Sequence, residues 1–290
     1  MMANSPVPES DSHSVKVWRQ LLAGAADRLW PVMDLYRPYV DGLENLPADG
    51  RFLLVGNHTQ AAFSEIVLIP YFVRTAIGTQ VRPLADRQFS QMRGPQAALI
   101  TAYGAVVGSP ENASELMRNN QTILVFPGGG PEMPKFKGEE YTLRWNNRYG
   151  FARLAIEHGY PIVAAGLVGG DDVYTSITTR DSRLGQFSGW LGERLSGRPD
   201  MAIPLTRGIG PTLIPRPQRM YLRFSAPIDT NKPDQISAKN WVSTIKESAQ
   251  AELEATLSGL QRVRDNDPYR GLNPMAWRSA VMPSGAHSTV

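Results

Sequence analysis

The stretch RFLLVGNHTQAAFSE, Arg51 to Glu65, decides how this chain folds. Phe52 to Val55 are strand formers, Gly56 closes the run, and Asn57-His58 follow before a helical pattern opens near Glu65. Side chains at strand carboxyl ends point into the crevice of an open α/β fold, so a histidine at this strand-to-helix switch stands where such folds expose chemistry. Taken by itself the window has a plainer reading, a helix-capping Asn57 beside an ordinary surface imidazole. The remainder of the chain has to decide between the two.

Working outward, short apolar runs alternate with helical patterns from Gly42 onward: RFLLVGN, SEIVLIPYFVRTAI, VRPLAD, QMRGPQAALITAY, GAVVG, NASELMRNN, TILVFPGGG, GFARLAIEHGY, PIVAAGLVG and MYLRFSAPI. Strands separated by helices of this length imply βαβ units. The fold class is therefore α/β, a single domain over 41–262 with a mainly parallel mixed sheet flanked by helices. Before it, 1–14 reads as a disordered leader without the basic and apolar regions of a secretory signal. Residues 15–40 read as an amphipathic helix, with Trp18, Leu21, Leu22, Ala25, Leu29 and Met33 on one face. That helix either packs on the core or lies in a membrane interface, the latter favoured by Trp18 and Trp30 beside basic residues. ISAKNWVSTIKESAQAELEATLSGLQRVRD is a long C-terminal amphipathic helix, and 263–290 is assigned to a tail. Leu195 to Gln218 break the rhythm: the stretch is rich in Pro, Gly and Arg and carries Met201, Ile203, Leu205, Leu213 and Ile214. It reads as a surface excursion or as a lid or membrane-facing loop, with Arg198, Arg207, Arg216 and Arg219 near phosphates.

Composition removes several classes of function. With 290 residues, 42% hydrophobic and 20% charged, the chain buries an ordinary globular core. No cysteine is present, which excludes disulfides, thiolate nucleophiles and Cys-based zinc sites. A net charge of +3 without Lys/Arg runs interleaved with aromatics argues against nucleic acid. No apolar stretch reaches the roughly 20 residues that a bilayer-spanning helix requires. The chain lacks a G-x-S-x-G elbow, a G-x-x-x-x-G-K-[ST] loop and a G-x-G-x-x-G turn opening a helix. His13, His58, His158 and His287 show no metal-binding pairing, and His158 suits a helix carboxyl end.

The second chemical feature is VFPGGGPE, Val125 to Glu132. Glycines after a strand permit a tight turn whose N–H groups can cradle a phosphate or an oxyanion, or they simply meet the turn's need for positive φ. One placed histidine, an acid after it and this turn suit acyl transfer to an alcohol. The imidazole takes the hydroxyl proton, a carboxylate orients the ring, and backbone donors or arginines meet the oxyanion.

At this point the residues resemble a known family. Asn57-His58, GAVVGSPENASELM at 104–117, FPGGGPE at 126–132 and PIVAAGLVG at 161–169 follow the order of the motif blocks of the lysophospholipid/glycerolipid acyltransferase superfamily. The wording is closest to its monoacylglycerol and diacylglycerol acyltransferase-like branch, and the resemblance covers about residues 40–230. It implies a glycerolipid-acyltransferase-like fold, with His58 as general base and an acid partner. The family's acid is an Asp five or six positions after the histidine; here Phe63 and Ser64 hold those places and Glu65 stands one step further. On a helix a seventh-position residue returns to nearly the same face, so the longer Glu65 is expected to reach His58. Asn57, Phe126, Pro127, Gly128, Gly129, Gly130 and Glu132 are expected to bind substrate, and Arg87 in LADRQF to supply a basic contact. Ala164-Ala165 stand where the last block usually carries proline.

The resemblance implies a fatty acyl donor, acyl-CoA or an acyl carrier protein, and a glycerolipid or related lipid acceptor. No metal or bound cofactor is expected, and nucleic acid is not a partner. The expected location is cytoplasmic, peripheral on the inner face of a membrane. A lipid-ester hydrolase and a catalytically weak lipid-binding protein are the alternatives on the same fold.

Overall fold

The computed structural model describes residues 37–61, 64–85, 104–196, 202 and 204–270. The leader, the N-terminal helix up to residue 36, Arg87, the QMRGPQAALITAY stretch, Met201, Ile203 and the tail beyond 270 lie outside the described residues.

A seven-stranded sheet organises the chain, in the order β1-β9-β6-β2-β5-β3-β4. Its strands are β1 (Tyr39–Asp41), β2 (Leu53–Gly56), β3 (Val81–Ala85), β4 (Val106–Val107), β5 (Thr122–Val125), β6 (Ile162–Val168) and β9 (Tyr221–Phe224). A separate short ladder pairs β7 (Thr175–Ser176) with β8 (Thr206–Arg207). The helices are α1 (Ser64–Ile77), α2 (Pro110–Arg118), α3 (Gly150–His158), α4 (Arg183–Ser196) and α5 (Ala238–Asp265). All ladders of the large sheet are parallel except β6–β9. Helical crossovers join the successive strands β2 and β3 through α1, β4 and β5 through α2, and β5 and β6 through α3, as parallel strands require.

The sheet is buried on both faces, which is why β2, β5 and β6 read as continuous apolar runs. Alternate residues go to opposite cores. Leu53, Val55, Ile123 and Ile162 pack on one side with Leu253 and Leu257 of α5. Phe52, Leu54, Leu124 and Val163 pack on the other with Leu68, Ile69 and Val73 of α1. Helix α5 sits so close to β6 that a Cβ on Gly166 would stand 2.6 Å from Thr256 Cγ2.

Two boundaries differ from the sequence reading. Tyr39 and Val40, assigned there to the N-terminal helix, are strand residues paired with Tyr221 and Leu222. Pro38 explains the switch, because its ring excludes a preceding helical residue and it has no N–H to donate. The Leu195–Gln218 excursion is also more ordered than a loop: residues 195 and 196 end α4, and Thr206–Arg207 form β8.

The arrangement fixes where chemistry can occur. Strands β6, β2 and β5 are parallel neighbours, with Gly56 level with Ala165 and Val55 level with Val125. Their carboxyl ends therefore deliver His58, the FPGGGPE turn and the segment after Val168 to one edge of the sheet.

Candidate active site

His58 lies in the loop after β2, its side chain 12% exposed, and its Nδ1 is 2.6 Å from Glu65 Oε1. Glu65 is in the first turn of α1 and fully buried. The expected pairing is present, but its geometric reason is different. His58 is not on the helix, so the residues do not share a helical face. The loop folds back over the amino end of α1 instead, where a carboxylate is favoured by the exposed N–H groups.

Glu65 is held on every side. Oε1 also accepts from Thr59 N at 2.8 Å, and Oε2 accepts from Thr59 Oγ1 at 2.8 Å and Ser64 Oγ at 2.9 Å. Burial pushes its carboxyl up, but the His58 hydrogen bond, the His58 charge and the Thr59 N–H outweigh that and hold it below the usual glutamate range. An ionised Glu65 accepts only, so its contact requires the hydrogen on Nδ1 and leaves the Nε2 lone pair of a neutral ring available. Phe126 stacks on that ring with centroids 4.7 Å apart and planes 19° apart.

The FPGGGPE turn meets the histidine through its acid. Glu132 Oε1 accepts from His58 N at 2.8 Å, and Oε2 accepts from Arg144 N at 3.0 Å. Glu132 is fully buried. Burial raises its carboxyl above the usual range against the opposing pull of Lys135, the Arg144 N–H and the His58 N–H. It therefore fixes the His58 backbone. Gly128 is required for this approach, since a Cβ there would fall 1.8 Å from Glu132 Oε2. Gly129 has φ +54, and a Cβ on it would stand 2.8 Å from Arg148 Nη1. Arg148 Nη1 donates to Pro127 O at 2.9 Å and Gly128 O at 2.5 Å. The turn is thus filled on these sides by Glu132 and Arg148. Gly129 N donates to Phe126 O, while the N–H groups of Gly128 and Gly130 find no backbone acceptor among the described residues.

Asn57 is also engaged within the fold. Its amide donates to Leu167 O at 2.9 Å and accepts from Leu167 N at 2.8 Å, and only 2% of the residue is exposed. A central parallel strand leaves the β2 end in need of a lateral tie, and Asn57 supplies it to β6.

Several residues of this edge were not singled out from the sequence. Asp171, in the 3-10 turn Asp171–Val173 after β6, accepts from Gln60 N at 2.9 Å and from Tyr141 N at 2.8 Å. Burial raises its carboxyl to about 6, against the opposing charge of Lys135. Lys135 is itself buried and donates to Thr142 O at 2.9 Å. Tyr141 has φ +60, accepts from Gly169 N at 3.0 Å and donates to Asp172 Oδ2 at 2.8 Å. The usable sequence signal was an acidic pair, Asp171-Asp172, directly after a strand. Two arginines of this region have structural partners: Arg216 donates to Asp172 O and Arg219 pairs with Asp267 at 2.8 Å, while Arg207 is exposed on β8. Arg198 lies outside the described residues.

An imidazole held by a buried carboxylate beside a glycine turn, at the carboxyl edge of a mainly parallel sheet, is equipped for proton transfer to or from a hydroxyl. Residues 37–168 match the model of the Acyltransferase family. The matched range contains β1 to β6 and both His58 and Glu132. More particularly, the chain is similar to phytyl ester synthase 1 and phytyl ester synthase 2 of Arabidopsis thaliana, both chloroplastic. Identity is 29% over 259 residues and 30% over 255, covering 80% and 81% of this chain but 35% and 36% of those proteins. The chain thus spans about a third of the length of these curated relatives. Among solved structures, the 1-acyl-sn-glycerophosphate (LPA) acyltransferase PlsC from Thermotoga maritima is similar over 83% of this chain and 79% of its own, with 16% identity and a TM-score of 0.38.

Proposed function

We propose that the chain is an O-acyltransferase that moves a fatty acyl group from acyl-CoA or an acyl carrier protein to the hydroxyl of a glycerolipid or related lipid alcohol. The observation that carries this reading is the 2.6 Å contact between His58 Nδ1 and the buried Glu65 carboxylate. Glu65 holds the ring with Nε2 as the base. Nε2 takes the acceptor hydroxyl proton as its oxygen attacks the thioester carbonyl, and a tetrahedral oxyanion forms. The C–S bond then breaks, the ester carbonyl reforms, and the proton on Nε2 passes to the leaving thiolate. No covalent enzyme intermediate is involved. The N–H groups of Gly128 and Gly130 are the donors we assign to the oxyanion.

The two relatives named as phytyl ester synthases support an ester product formed on a lipid alcohol. A lipid acceptor residing in a bilayer requires the enzyme to work at a membrane surface. Among the described residues no helix is long and apolar enough to cross a membrane; the association we propose is peripheral.

Turnover of labelled acyl-CoA with a mixed lipid extract tests the assignment. His58→Ala is expected to lower the rate by about 10²–10⁴ while the protein stays folded, the usual scale of general-base catalysis. Glu65→Gln is expected to be impaired as well. Full activity in folded His58→Ala would refute the role of the histidine.

A further inference from the structure

Every large apolar side chain that is exposed among the described residues lies between Ile177 and Ile214. Scattered singly they would need no account, but they are gathered on one structural unit. Helix α4 turns its usual logic outward. At 100° per residue, Arg183, Leu184, Phe187, Trp190, Leu191 and Arg194 share one arc, and all are exposed. Gly185, Gly189 and Gly192 occupy the opposite side and are buried. The glycines allow close packing: a Cβ on Gly185 would fall 2.0 Å from Thr179 O, and one on Gly189 would stand 3.5 Å from Ala202 Cβ. A helix held to a globular body normally buries its large apolar side chains, whereas this one buries glycines and presents Phe187 and Trp190 at 59% and 53% exposure.

The excursion after it continues the same surface. Ile177 N donates to Leu205 O at 2.8 Å beside the β7–β8 ladder, which sets two exposed apolar residues together. The loop from Gly208 to Ile214 is built and not slack, with Gly208 N on Thr212 O at 2.6 Å and Ile209 N on Ile214 O at 2.8 Å. It raises Leu213 and Ile214 to 71% and 59% exposure.

Charge identifies what such a face fits. Arg183 and Arg194 flank the apolar arc, and Arg207 is exposed on β8; among the described residues, Asp181 and the half-buried Glu193 are the acids between Ile177 and Ile214. Arg194 lies over the Trp190 ring, 5.7 Å from its centroid, so an indole and a guanidinium share the edge of the apolar area. Aromatic rings and arginines bordering exposed aliphatics match the boundary between lipid headgroups and acyl chains. The elements that carry this face are also tied to the segment that follows the FPGGGPE turn. Ser176 Oγ of β7 donates to Lys135 O, and Lys137 N donates to Thr178 O at 3.0 Å, just after the FPGGGPE turn.

We propose that the outer arc of α4 and the Gly208–Ile214 loop form a docking surface for an anionic lipid bilayer. Its purpose, bringing a bilayer-held acceptor to His58, rests on the acyl-transfer reading; the surface itself is tested without turnover. The full chain is co-sedimented with vesicles of phosphatidylcholine, with and without phosphatidylglycerol. Vesicles containing phosphatidylglycerol are expected to bind more tightly. The pair Phe187→Glu with Leu213→Glu is expected to weaken binding by about tenfold or more, and Arg183→Gln with Arg194→Gln to remove mainly the salt-sensitive part. Unchanged vesicle binding by the folded glutamate pair overturns the proposal. So does a self-associated wild type that the pair makes monomeric without loss of vesicle binding, because the face then joins copies of this chain. Should the pair fail to fold, brominated lipid decides: quenching of tryptophan fluorescence must fall in Trp190→Phe, and undiminished quenching overturns the proposal. Patch-dependent binding by a protein that transfers no acyl group would leave the surface standing and remove the catalytic reading alone.

Discussion

Glu132 illustrates what one buried carboxylate does when both its oxygens are engaged by main-chain N–H groups, those of His58 and Arg144. Glu132→Gln keeps the shape but replaces one acceptor by an NH₂ that faces another donor. A buried donor left without an acceptor costs about 1–3 kcal/mol. The variant is therefore expected to be less stable by that amount in chemical denaturation. It should also lose about tenfold or more in kcat, because the His58 backbone loses a support that positions the ring. An unchanged kcat would show that His58 is positioned without Glu132. The sequence made Glu132 visible as part of FPGGGPE but not which way it faces, because the contact with His58 joins residues 74 positions apart. Glu65 was legible as the partner of His58 by its nearness in sequence, although the helical-face argument was the wrong route to it. Asn57 read as a substrate ligand because an asparagine beside a histidine looks chemical. Nothing local marks its tie to Leu167, which is 110 positions away.

Among the elements, strands β2, β5 and β6 were the most legible, since central parallel strands need apolar side chains on both faces and little else produces such runs. Helix α4 left no such mark. Gly185, Gly189 and Gly192, poor helix formers, are buried, and Leu184, Phe187, Trp190 and Leu191 face outward, so the usual signature of a buried face is absent. Helix α5 shows the opposite case. Leu253 is fully buried against the sheet beside Gly166. Leu253→Ala is expected to cost about 2–5 kcal/mol in denaturant unfolding. Because α5 lies on the face of the sheet and the His58–Glu65 contact at its carboxyl edge, kcat per folded molecule should be nearly unchanged. A stability loss with a collapsed kcat would mean that α5 packing supports the site directly.

At the scale of the whole molecule, Asp171 ties three parts of the chain together: the loop of His58 through Gln60, the segment after β5 through Tyr141, and the 3-10 turn after β6 on which it sits. Its carboxyl titrates at about 6 in the fold, against about 3.9 for an unperturbed aspartate. Between those values the folded chain retains a proton that the unfolded chain has released. This group therefore lowers stability as pH rises from about 4 to about 6, and the penalty is present in full above that. Asp171→Asn does not titrate, so its stability relative to wild type should improve across that window by an amount on the order of 2–3 kcal/mol. It should still be less stable overall at the acid end, where Asn supplies one acceptor for two N–H groups. Parallel pH dependences of wild type and variant, measured by denaturant unfolding, would contradict the assignment of that slope to Asp171. The central claim, that this architecture carries out acyl transfer, is tested most directly by following thiol release from a labelled acyl-CoA or acyl carrier protein with and without a lipid alcohol. The account predicts thiol release only when the alcohol is present, matched one for one by labelled ester and abolished in His58→Ala. Release at the same rate without any acceptor, with free fatty acid as the product, would contradict it.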